Sequence, residues 1–263
     1  MFLSLMQNEW TKAYYRNKFL IFGIVMLFLV AAGAGISYFF STYDFGEPVT
    51  PITTLEFAVN SLNNLSMIVL IFTTIVLISS VTSEYKSGTM KQLLIRPISR
   101  TSILLSKWVT TFLISVLFLL ILALISFLIG SVLFENEASF ADSIATLGLW
   151  ILYNIPTIFF YLVFGLCIAV ATRNSALSIS SVIVLYFIGT TITFFLLRFD
   201  WVKYLITANL TLQEYSSNEY LNFGSEPIMG SMSLGFSLGV IAVYSIILLV
   251  IAHLVFKKKD VLS

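Results

Sequence analysis

The side chains that most often carry chemistry are scarce in this sequence. It holds one histidine, His253, and one cysteine, Cys167, too few for a structural zinc site or an intrachain disulfide. His253 sits near Lys257 at the end of an apolar run and reads as an interfacial residue rather than a general base. No His-Glu-x-x-His, Gly-x-Ser-x-Gly or Gly-x-x-x-x-Gly-Lys-Ser/Thr pattern occurs, so neither the metalloprotease, the serine hydrolase nor the phosphate-loop chemistry has its residues. The chain is expected to be no enzyme in its own right, with no catalytic residues, no metal, no bound cofactor and no nucleic-acid partner.

What the sequence does place at meaningful spacing is a charged loop with structure written into it. Residues 83–100 read SEYKSGTMKQLLIRPISR. Thr89 and Gln92 have capping-box spacing, in which the Thr hydroxyl accepts the Gln92 amide and the Gln side chain returns to the Thr amide. Gly88 allows the turn before it, and Pro97 biases Arg96 out of the helical region. A helix of about two turns over Met90–Ile95 is expected, with Met90, Leu93 and Leu94 on one face and Lys91 and Gln92 beside them. Such a helix is too short to stand alone in water; it must rest on its own protein, the membrane or a partner. A second amphipathic stretch, residues 3–18, repeats Leu3, Met6, Trp10 and Ala13 at helical spacing. It is expected to lie in the headgroup layer, with Trp10, Tyr14 and Tyr15 as belt aromatics and Lys12 and Arg16 near anionic lipid.

The elements that position these stretches follow from composition. Of 263 residues, 59% are hydrophobic and only 10% charged, against about 25% charged in a soluble domain. Charge-free runs occupy Phe19–Tyr43, Phe57–Ser83, Trp108–Phe134, Ser143–Thr172, Asn174–Leu197 and Pro227–Phe256, each long enough for the roughly 20 residues a helical span requires. The expected fold is all-α: a single transmembrane domain over 1–263, with an interfacial helix at 1–18. Its six spans are expected at about 19–43, 57–83, 103–134, 143–172, 174–198 and 230–256, with an external segment at 199–229. The first run, basic at its start and small at Ala31–Gly35, is read as a retained span rather than a cleaved signal peptide.

Charge then sets direction. The N-terminus, the loop 84–107, Arg173 and the C-terminal tail carry 12 of the 14 basic residues and three acids, Glu9, Glu84 and Asp260. The opposite side carries the other ten acids, with only Arg198 and Lys203 against them. Basic residues resist translocation, so both termini are expected to be cytoplasmic. The charge-free runs also argue against an ion-coupled transporter, which commonly holds ionisable groups at membrane depth. Gly235 and Gly239 form a Gly-x-x-x-Gly pair, expected to pack against helices of the same chain, and Pro156 to kink its span. The segment 199–226 is rich in aromatics, and Trp201, Tyr204, Tyr215 and Tyr220 are candidates for an external gate, plain packing being the alternative.

The loop EYKSGTMKQLLIRPISR, followed by ILLSK ending at Lys107, resembles that of ABC transporter permeases of the type-2 export class: an acidic residue, a Gly-Thr, paired leucines, Pro-x-Ser-Arg, and a lysine before the next helix. Glu9-Trp10-Thr11-Lys12 with Arg16 resembles that family's opening helix. The resemblance implies a half-transporter that pairs with a second permease chain, identical or paralogous, and sits on separate ATPase subunits that hold ATP and Mg. It implies that Met90–Ile95 is the coupling helix, with Glu84, Gly88, Thr89, Met90, Lys91, Gln92, Leu93, Leu94, Pro97 and Arg100 forming the docking element and its flanks. Glu84 is placed to pair with a cation that the sequence does not identify. Export of a hydrophobic or amphipathic cargo, a drug, antimicrobial peptide or lipid-like molecule, across a bacterial plasma membrane is then expected. A membrane scaffold without transport, or an ion-coupled secondary transporter, is the alternative.

Overall fold

The computed structural model describes residues 2–15, 18–43, 51–87, 100–222, 230 and 232–258, with side chains for all of these but 13–15, 18, 100 and 258. The chain runs through α1 (Phe2–Tyr15), α2 (Lys18–Thr42), α3 (Thr54–Lys86), α4 (Arg100–Leu133), α5 (Phe140–Thr172) and α6 (Ser175–Leu196). Three short 3-10 turns (Asp200–Tyr204, Ile206–Asn209, Leu212–Tyr215) and α7 (Glu219–Asn222) then lead to α8 (Leu234–Lys258). Six helices, α2 to α6 and α8, are long and apolar enough to cross a membrane. Their bounds fall within four residues of the expected spans, and α3 to α5 are the longest. These three have 33, 34 and 33 residues, about 50 Å at 1.5 Å per residue, against a hydrocarbon core of about 30 Å.

Local chemistry starts and stops them. Thr53 opens α3 through a reciprocal capping box: its hydroxyl accepts the Glu56 amide at 3.3 Å, and its own amide donates to Glu56 Oε2 at 2.9 Å. The same end is stitched to the end of α4, where the Thr54 hydroxyl donates to the Phe134 carbonyl at 3.1 Å and the Thr54 amide to the Glu135 carbonyl at 3.0 Å. Arg173 ends α5 with a φ of 55°, a left-handed cap, and Asn174 at once opens α6 by accepting the Ala176 amide at 2.9 Å. Two residues thus make the hairpin turn. α5 runs through Pro156 as one helix.

The core is α3, α4 and α5. Leu62, Leu77, Ile78, Leu119, Leu122, Trp150, Phe160, Leu162 and Leu166 are among its fully buried side chains. The Trp150 indole donates to Asn63 Oδ1 at 2.8 Å, satisfying two polar groups that apolar surroundings would otherwise penalise. Close approach uses glycine: a Cβ on Gly165 would lie 3.0 Å from Thr74 Cγ2, and one on Gly130 3.1 Å from Phe57. α2 joins by a single stripe, Phe22, Met26, Val30 and Ala34, with Phe22 stacked on Phe72 of α3. The expectation for Gly235 and Gly239 is corrected: a Cβ at either position would meet nothing within 4 Å. α8 instead packs through Ser237, Ile241, Ser245, Ala252 and Phe256, a quarter-turn or more around the helix.

Candidate functional site

The aromatic segment 199–222 is fastened to the bundle. Val202, Leu212 and Leu221 are buried. The Thr157 hydroxyl donates to the Leu210 carbonyl at 2.7 Å, the Asn218 amide to Thr146 Oγ1 at 3.0 Å, and the Tyr215 and Ser237 hydroxyls share a bond of 2.9 Å. The four gate candidates divide: Trp201 and Tyr204 are exposed, whereas Tyr215 and Tyr220 are half-buried against the core. For those two, packing is the reading that the geometry supports. Asn209, within an Asn-Leu-Thr tripeptide, is buried and donates to the Lys203 and Leu205 carbonyls.

At the opposite end, where α3 finishes and α4 begins, four charged side chains meet. Glu84 lies in the last turn of α3, Lys107 in the second turn of α4, and Glu9 and Lys12 one turn apart on α1. Lys107 Nζ stands 2.8 Å from Glu84 Oε1 and 3.0 Å from Glu9 Oε1; Lys12 Nζ stands 2.9 Å from Glu9 Oε1 and 3.3 Å from Glu84 Oε1. The Lys107 side chain is 2% exposed and the Lys12 side chain 46%. The quartet is neutral, which is what permits its burial: an isolated ammonium or carboxylate there would lose several kcal/mol of hydration with no return. Burial by itself raises the pKa of Glu9, but Lys107 and Lys12 more than offset that and hold its carboxyl below the ordinary value of 4.5. Burial likewise lowers the pKa of Lys12, and Glu9 and Glu84 outweigh it, leaving the ammonium above 10.5.

The neighbours of the quartet bring the remaining helices to the same end. Tyr85 meets Phe256 of α8 edge-on at 6.4 Å, and the Arg173 guanidinium lies 5.0 Å from the centre of the Tyr85 ring. Trp108, beside Lys107, stacks on Phe112 and meets Phe159 of α5 edge-on at 4.8 Å. α1 packs chiefly along α4 and leaves a shallow groove of about 190 Å³ lined by Met6, Gln7, Trp10, Thr110 and Leu113. α1 is thus folded against α4.

Glu84, Glu9 and Lys12, proposed from sequence for two separate elements, are thus in one cluster, while Trp10 lines the groove beside it. Lys107 is the member that sequence reasoning did not assign to a site. In the sequence it stands as a loop charge and as the lysine before the next helix, although a lysine closing ILLS and opening a 27-residue charge-free run would have to be paired. Gly88, Thr89, Met90, Lys91, Gln92, Leu93, Leu94 and Pro97 lie outside the described residues, as do the side chains of Arg16 and Arg100.

Six apolar helices gathered on one core make this a multi-pass membrane protein. The chain belongs to the family described as protein of unknown function (DUF2705), whose sequence model matches residues 19–262, all of the spans but not α1. Two relatives from Bacillus subtilis (strain 168) are similar to it. The uncharacterized protein YhcI is 32% identical over 214 residues, covering 75% of this chain and 66%, just under two thirds, of its own length. The uncharacterized membrane protein YdbK is 27% identical over 207 residues, covering 75% of this chain and 80% of its own length.

Proposed function

We propose that the chain is the membrane-spanning permease subunit of an ATP-binding cassette exporter, paired with a second permease chain and driven by separate ATPase subunits. In this reading both termini and the loop 84–107 are cytoplasmic, the membrane is the bacterial plasma membrane, and Met90–Ile95 docks the ATPase. The cargo is hydrophobic or amphipathic, in keeping with charge-free spans.

The observation that carries the reading is the position of Lys107. Bonded to Glu84, it closes the base of the loop; bonded to Glu9, it ties that base to α1. A force delivered to the loop would therefore reach α3, α4 and α1 together rather than being absorbed at a flexible root. Lys107 lies near the start of α4 and Glu84 in the last turn of α3, so both helices that flank the loop transmit it into the three-helix core.

The test is co-purification. The chain, tagged at its C-terminus and extracted in mild detergent from its native membrane, is expected to bring a nucleotide-binding ATPase at near one-to-one stoichiometry. Leu93→Asp is expected to leave membrane insertion intact and to abolish that association. Isolation alone or with unrelated membrane proteins would sink the proposal and favour a scaffold. Uptake or efflux that follows an ion gradient without ATP would favour a secondary transporter.

A further inference from the structure

We propose that the turn 198–204 is seated in the headgroup layer of the membrane and binds anionic phospholipid through Arg198 and Lys203. The argument starts from α6. Its last turn exposes Phe194 and Phe195, 72% and 74% accessible, and the same apolar surface continues into the 3-10 turn. There Phe199, Trp201 and Tyr204 all remain exposed while Val202 between them is fully buried. The turn is therefore one-sided: Val202 holds it to the protein, and the aromatic rings face away.

It is also held in place. The Tyr244 hydroxyl of α8 donates to the Tyr204 carbonyl at 3.2 Å, and the Asn209 amide to the Lys203 carbonyl at 2.8 Å. Rings fixed outward in water would expose a large apolar area without compensation. Tryptophan and tyrosine, with one polar tip each, are suited to the layer between acyl chains and water. Continuity with the apolar face of α6 places the turn at that depth.

The charges choose the lipid. Arg198 and Lys203 are the two cations of this end of the molecule, and neither joins an ion pair: among the described residues the four ion pairs all belong to the Glu9–Lys12–Glu84–Lys107 quartet. Asp200, exposed between them, bridges to neither. The Arg198 guanidinium instead lies 4.8 Å from the Phe199 ring centre and the Lys203 ammonium 5.3 Å from that of Tyr204. Each cation thus has an aromatic face on one side and free donors on the other. A phosphodiester with net negative charge supplies acceptors for both, and the rings extend toward the glycerol level below it.

The experiment uses the full chain in lipid nanodiscs carrying traces of brominated phosphatidylglycerol or brominated phosphatidylcholine. The Trp201 contribution is the difference in tryptophan quenching between the native chain and Trp201→Phe. Trp201 is expected to be quenched by both lipids, and by the anionic one at a mole fraction lower by about fivefold for each cation engaged. Arg198→Gln with Lys203→Gln should equalise the two lipids without ending the quenching. As a second readout, nitroxide at Ser217→Cys on a Cys167→Ala background, an exposed position in the same segment, should collide with an aqueous nickel reagent more than nitroxide at Trp201→Cys does. If Trp201 is unquenched by either lipid, whether water-exposed or covered by another protein, the seating is wrong. Equal quenching in the native chain would sink the lipid selection.

Discussion

α5 and α6 are joined by a two-residue turn and are built from similarly apolar residues, yet 61% of an apolar 18-residue stretch of α5 is buried within the chain and only 11% of the matching stretch of α6. The same division separates the long helices α3, α4 and α5 from the short ones α2, α6 and α8, of which 22%, 11% and 17% are buried. Hydrophobicity cannot sort the two groups, because lipid and protein core are equally apolar. What distinguishes the inner helices is pairing of polar groups and fit of small residues. Asn63 meets Trp150, Thr54 meets the end of α4, Gly165 admits Thr74, and Glu84 meets Lys107. The outer helices present Leu20, Phe28, Val184, Phe187, Ile246 and Val250 to their surroundings and touch the core along narrow stripes.

Substitutions should split between packed positions, whichever helix carries them, and open ones. The largest effect is expected for Lys107→Met, which strands two carboxylates with the half-exposed Lys12; removing one partner of a buried ion pair costs about 3–5 kcal/mol. Thermal unfolding in detergent should show it, and a change within error would mean that water fills the cluster. Gly189→Ala comes next, because its Cβ would approach Thr207 Cγ2 to 2.5 Å while Thr207 is held by Thr193. Overpacking of that kind costs about 1–3 kcal/mol. The matching change on an open face, Gly235→Ala, should be neutral or stabilise by up to about 1 kcal/mol; a loss instead would reveal that something covers α8. Trp150→Phe should lose about 1–2 kcal/mol by leaving the Asn63 amide oxygen unpaired. The smallest effect is expected from acid, and only at the α1 contact. The folded Glu9 carboxyl titrates below 4.5, so its contribution is complete above that value and disappears as pH falls through the lowered pKa. The raised Lys12 ammonium contributes fully up to 10.5 and is lost above it. Trp10 emission should therefore be flat across neutral pH and change only toward those extremes, whereas α6, with no carboxylate or cation among Ser175–Leu196, should not respond.

The spans were legible because a charge-free run of the needed length has few alternatives; even the two-residue hairpin at Arg173 could be read from one cation between two apolar stretches. Inner and outer helices were not, since periodicity in an apolar helix does not reveal which stripe meets protein. The Gly235–Gly239 pair illustrates this: the spacing suits close packing, but the partner surface lies elsewhere on α8. The capping box of Thr53 and Glu56 has the Thr-x-x-Glu form of the spacing that Thr89 and Gln92 show with an amide. Glu9, Lys12 and Glu84 stand out in the sequence as residues of separate elements. Their meeting depends on α1 folding back along α4, a long-range contact for which neither stretch carries a local signal. The seating of the 3-10 turns at 200–215 was hidden for the same reason: hydrogen bonds to α5, α6 and α8 hold them.

The quartet also imposes an order on synthesis. Glu9 and Lys12 emerge first, yet the ammonium that buries them belongs to a residue made only after α2 and α3 have been translated. At about 5–20 residues per second the interval is on the order of seconds to tens of seconds, during which α1 has its own i,i+3 pair and, once α3 is made, the Lys12–Glu84 contact. Arrival of Lys107 ends that interval and fixes the N-terminus against the third span. A nascent chain stalled before Lys107 would expose the first helix to proteases and insertion factors; one stalled just after α4 would not. The ion cluster thus records, in the finished molecule, the moment at which its first half is complete.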